Sequence, residues 1–124
     1  MAIRTDQDAL INGIRSEVSL LRKEQFGQLG NTFQDGNTAT TPPTGQVIVA
    51  ITCLGNTTFT AMAAENISGS KSFALTGGHT GEGGGGVVIA AANVFPAGLT
   101  IYGRWTSVTP TASSTAGIIC YFGY

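Results

Sequence analysis

Gln46-Val-Ile-Val-Ala-Ile-Thr-Cys-Leu54 is a β-branched run with no helical period, and Thr57-Thr-Phe-Thr-Ala-Met-Ala63 follows it. In the second stretch Thr58, Thr60 and Met62 alternate with Phe59 and Ala61, the period-2 signature of a half-buried strand. Working outward, Ser70 to Leu75, Val87 to Val94, Leu99 to Val108 and Gly117 to Phe122 give four more short runs of this kind. Gly-Asn, Ser-Gly-Ser, a glycine tract and Pro-Ala-Gly punctuate them. Six short strands without helical periods predict a mainly β domain over residues 46–124, an antiparallel β-sandwich or jelly-roll-like fold.

The charges lie elsewhere. Nine of the chain's 13 charged residues fall in its first 35 positions, and the other 89 residues hold only Glu65, Lys71, Glu82 and Arg104. About a quarter of an ordinary globular domain is charged. A body this bare is expected to meet other protein over much of its surface.

Residues 1–29 read as a helical arm. Thr5 suits an N-cap, and Asp6 and Asp8 set negative charge at the positive end of the helix dipole. The helix is predicted from about Asp6 to about Phe26, with Gly27 and Gly30 as stop signals. Ile11, Ile14, Val18 and Leu21 recur at the three- and four-residue spacing of a heptad seam, which fades at Gln25 and Gln28. In that register Glu17 occupies a g position and Arg22 the following e position, the pair that joins parallel neighbours. Isoleucine at both a and d favours three or four strands over two, so a homotrimer is expected. The competing reading is an amphipathic helix laid on its own sheet, with the same stripe as core contact. Two heptads are short, and Gly13 costs about 1 kcal/mol of helix propensity. Residues 30–45, with Pro42-Pro43 and no period, read as a linker.

Several function classes find little support. A net charge of −1 argues against nucleic-acid binding. No apolar run approaches the ~20 residues of a membrane span, and no signal-peptide pattern is visible. Gly81-Glu82-Gly83-Gly84-Gly85-Gly86 contains G-x-G-x-x-G, but the strand-like Val87-Val88-Ile89 follows where a phosphate cradle needs a helix N-terminus. His79 is the one histidine, and no nucleophile motif accompanies it. His79, Glu82 and Asp35 make a poor metal set, and Cys53 and Cys120 lack ligand spacing. Glu65 and Glu82 form no carboxylate pair. No catalytic residue, cofactor or metal is therefore expected. Cys53 and Cys120 each sit in an apolar run; they read as small buried hydrophobes or as a disulfide between neighbouring strands.

Tyr102, Arg104 and Trp105 are the odd element, because arginine and tryptophan interrupt an apolar strand. Alternation puts Tyr102 and Arg104 on one face and Gly103 and Trp105 on the other. Arg104 needs a carboxylate, a carbonyl or an aromatic face. It is either an anchor for a particle or partner contact, or a paired structural charge.

Phe95-Pro-Ala-Gly-Leu-Thr-Ile-Tyr-Gly-Arg-Trp-Thr-Ser-Val108 and the ending Gly117-Ile-Ile-Cys-Tyr-Phe-Gly-Tyr124 resemble the closing strands of small virion structural proteins of tailed bacteriophages, especially phages of cyanobacteria. Tyr-Gly-Arg-Trp is the most specific part of that resemblance, which leaves out the arm, the linker and the glycine tract. It implies a small β-rich subunit, often trimeric, located on the virion and assembled in the host cytoplasm. A helical N-terminus before a compact β domain is similar to capsid decoration (cement) proteins, whose partner is the major capsid protein or another virion protein. It is similar also to neck or tail fibre and appendage subunits. A third reading, of another class, is a host-surface carbohydrate-binding module, which exposed aromatics near Trp105, Tyr121 or Tyr124 would favour.

Overall fold

A computed structural model describes residues 29–67, 71–75, 80–111 and 116–124. The predicted helix, its seam residues Ile11, Ile14, Glu17, Val18, Leu21 and Arg22, and His79 lie outside the described residues.

The described residues are mainly β. Five strands, β1 (Asn31–Gln34), β2 (Val47–Cys53), β3 (Phe59–Ala64), β4 (Thr100–Pro110) and β5 (Ile118–Gly123), form one antiparallel sheet in the order β1-β5-β2-β4-β3. β2 lies at the centre and its main chain is laddered on both sides, to β5 and to β4. Its Val-Ile-Val-Ala-Ile-Thr-Cys sequence suits that place, because β-branched side chains pack well on a pleated surface. Where β2 has not yet begun, Thr40 takes its place beside β4 by exchanging two main-chain hydrogen bonds with Val108, at 2.8 and 3.1 Å.

Four of the six expected strands are present at their expected places. The other two runs differ. Val87 to Val94 is irregular, and in Lys71 to Leu75 only Phe73 makes a bridge, to Thr80. Both runs belong to the connection from β3 to β4, which closes the core without extending a ladder. Conversely, β1 lies within the stretch expected to be a linker. Its Asn-Thr-Phe-Gln has one apolar residue, and pairing with β5 draws it into the sheet. The domain therefore begins well before residue 46.

The core lies on one side of the sheet. Ile48, Ile51, Cys53, Phe59, Met62, Trp105, Val108, Ile118, Cys120 and Phe122 supply it from the strands, and Phe73, Ala74, Leu75, Ile89 and Phe95 cover it from the connection. Four rings link the two layers. Phe59 meets Phe95 edge-on at 5.2 Å, Phe95 stacks with Phe73 at 6.4 Å, and Phe73 meets Trp105 edge-on at 5.7 Å. Trp105 is fully buried and its indole N–H donates to the Phe73 carbonyl at 2.8 Å, so the ring's polar atom is satisfied where it is dry.

Cys53 and Cys120 are buried free thiols on neighbouring strands. Cys53 pairs with Ile118 and Cys120 with Ile51, which sets the two cysteines diagonally on the core side. Burial raises the pKa of both; Cys120, with Cys53 beside it, is pushed up to about 12.

Candidate interaction surface

The other side of the sheet carries the surface of interest. Cross-strand partners share a face, so the register reads as two rows. One row runs Asn31, Tyr121, Ala50, Tyr102, and the next runs Phe33, Ile119, Thr52, Thr100. None of these eight residues is charged. An antiparallel sheet facing water is normally polar and charged on its wet side. Here Tyr102 is 71% exposed and Phe33 57%.

A bulge sets up this arrangement. Between the pairs Ile48–Trp105 and Ala50–Tyr102, β4 spends one residue more than β2. Ile48 is thereby kept in the core while Ala50, two residues on, lies on the open face, and along β4 plain alternation sets Trp105 in the core and Tyr102 on the open face. Gly103 makes room for the indole: a Cβ there would fall 2.6 Å from the Trp105 ring and 2.7 Å from the Ser72 hydroxyl. The Arg104 N–H donates to Ser72 Oγ at 2.8 Å, and its carbonyl accepts from the Glu65 N–H at 3.0 Å.

Ala50, Thr52, Thr100, Tyr102 and Tyr121 line a shallow depression of about 170 Å³. Ala50 forms its floor between the two tyrosines. Thr52 Oγ1 and Thr100 Oγ1 lie 2.9 Å apart in a hydrogen bond.

Arg104 is a paired charge. Its Nε and Nη2 donate to the two Glu65 carboxylate oxygens at 2.9 and 3.1 Å, a bidentate fork, and Nη1 donates to the Tyr124 carbonyl at 2.6 Å. The three residues singled out in the sequence thus separate in the fold. Tyr102 is on the surface, Arg104 is held by Glu65 and Tyr124, and Trp105 has no exposed area to offer a partner.

A second surface with exposed apolar side chains lies on the β3–β4 connection. Gly81, Gly83 and Gly85 have φ near +90°, a region that favours glycine, and carry the chain into Val87 (78% exposed) and Val88 (41%), with Val94 (60%) beyond. Ile89 alone of that run turns towards the core, its N–H donating to the Ala74 carbonyl. No helix follows the glycine tract. Lys71 and Glu82 meet here through the Lys71 main-chain N–H, which donates to Glu82 Oε1 at 3.0 Å.

Among the described residues no group of three or more His, Cys, Asp or Glu side chains converges in a way that would hold a metal, and no helix is long and apolar enough to cross a membrane. The tyrosine row was hidden from the sequence. Tyr102 and Tyr121 are brought together through Ala50 by a strand order that does not follow chain order. No family model, curated protein or solved structure matches the chain.

Proposed function

We propose that this chain is a structural subunit of a tailed-bacteriophage particle, a homotrimeric capsid decoration protein bound to the major capsid protein. The observation that carries the reading is the uncharged open face of the sheet, from Phe33 to Tyr102, on a domain whose Arg104 and Glu65 neutralise each other. Phe33, Ile119 and the tyrosine rings on such an uncharged surface are stabilised by removal from water against another protein. The resemblance of residues 95–108 and 117–124 to small virion proteins supports the same reading. So does the heptad stripe at Ile11, Ile14, Val18 and Leu21, with Glu17 and Arg22 beside it, which fits a helical N-terminus and a third protomer. A layer packed on the open face would complete a sandwich across the assembly.

The test is attachment. The purified full-length chain, mixed with expanded undecorated capsids, is expected to co-sediment at a copy number set by the shell lattice. Light scattering of the free protein is expected to return three chain masses. A monomer that sediments without the capsids overturns the reading. Occupancy near a dozen copies per particle moves the protein to the neck or tail, as a fibre or appendage subunit.

A further inference from the structure

The geometry points to a binding site for a neutral saccharide in the depression between Tyr102 and Tyr121. This inference does not rest on the particle reading, and the two compete for the same open face.

The lining sets the chemistry of the ligand. Charged ligands are disfavoured, because Ala50, Thr52, Thr100, Tyr102 and Tyr121 offer no counter-charge to a desolvated ion. Hydrocarbon is disfavoured by the floor. The Thr52 and Thr100 hydroxyls share one hydrogen bond, which leaves one O–H and several lone pairs directed elsewhere, and an alkyl group would bury them unpaired. An extended peptide is disfavoured by the place of the site in the sheet. Peptides bind sheets by adding a strand at an edge, whereas β2 is the central strand with both sides already laddered.

A pyranose meets each demand. Its axial C–H face suits a tyrosine ring, and its equatorial hydroxyls both donate and accept towards threonine. The two tyrosines stand on the strands flanking β2, so their backbones are about 10 Å apart, two strand spacings. That is roughly the length of a disaccharide. Ala50 keeps the space between them open, where a larger side chain would fill it. Asn31, paired with Tyr121 in the same row, extends the polar rim.

The experiment uses the full chain. Affinity electrophoresis through gels containing hydroxyethyl cellulose, dextran, glycogen or galactomannan is followed by NMR titration with the hexasaccharide of any polymer that retards the protein. At least one polymer is expected to retard it. Shift changes should centre on Ala50, Thr52, Tyr102 and Tyr121. Tyr102→Ala is expected to weaken binding roughly tenfold, the share of one stacking contact, while leaving the melting temperature unchanged. Tyr102→Trp is expected to retain binding. Failure of all four polymers overturns the proposal. So does retardation that Tyr102→Ala leaves intact, or shift changes confined to residues 82–94. Protection of the Tyr102 ring in the free assembly, read by exclusion of a soluble paramagnetic probe, also overturns it, because the face would then belong to a second copy. Capsid attachment is scored separately, so either reading can fail alone.

Discussion

The Trp105 indole occupies the space that a side chain on Gly103 would need: a Cβ there would lie 2.6 Å from the ring. The glycine is required for room rather than for an unusual φ. It leaves β4 room to carry Trp105 in the aromatic core and Tyr102 on the opposite, open face.

Gly103→Ala is expected to destabilise the domain by about 1–3 kcal/mol, the usual cost of overpacking. Trp105→Ala is expected to cost about 3–5 kcal/mol and to leave the Phe73 carbonyl without its donor. Urea denaturation checks both. An unchanged midpoint for Gly103→Ala would mean that the indole has another place to go.

Arg104 and Glu65 are coupled across β4 and the end of β3. A double-mutant cycle with Arg104→Met and Glu65→Gln is expected to give a coupling of about 1 kcal/mol, since the fork is bidentate yet partly exposed. The coupling should shrink in 1 M salt. A value indistinguishable from zero would make the fork a surface contact without energetic weight.

The thiols set the alkaline limit. Burial raises the pKa of Cys53, and that of Cys120 to about 12, so the folded chain holds both as neutral thiols. Each stabilising contribution is complete below the unfolded thiol's pKa near 9. That of Cys120 is lost as pH climbs from about 9 towards 12, where the unfolded chain ionises and the folded one does not; that of Cys53 begins to fall at the same lower bound. Cys120→Ala is expected to flatten the fall in melting temperature across that window. Ellman's reagent is expected to find almost no reactive thiol in the folded protein and two on unfolding.

The domain boundary is testable by truncation. Deletion of residues 1–28 is expected to leave a β-rich domain that unfolds cooperatively but no longer forms trimers. Deletion of residues 1–45 removes β1 and the Thr40 bridge, strips one side of β5, and is expected to give an unstable, aggregating product. Ile14→Asp in the full chain is expected to weaken the trimer with the β domain intact, because it sets an unpaired charge in the seam. Circular dichroism and light scattering separate these outcomes.

β2, β3, β4 and β5 were legible because alternation or β-branching persists over six or more residues. β1 was not, since four residues with one phenylalanine carry no period. Val87 to Val94 misled for the opposite reason: its composition is that of a strand, but whether a valine run finds a ladder depends on the space beside it, and here Ile89 turns inward while Val87 and Val94 stay exposed. Alternation along β4 does hold for Gly103 and Trp105, which crowd the same space. The tyrosine row around the proposed saccharide site follows from strand register, which a sequence does not display.

The strand order has a kinetic consequence. Asn31 pairs with Tyr121 and Val47 with Gly123, and the one pair of consecutive strands that touch, β3 and β4, is separated by 35 residues of connection. Among the described residues the sheet contains no tight hairpin to serve as a nucleus. Nearly every rung requires closure of a long loop before it is rewarded, so folding is expected on the millisecond-to-second scale of non-local β topologies. During that interval β2 is an unpaired apolar strand waiting for β5, and the yield of native protein should fall as the concentration during refolding rises.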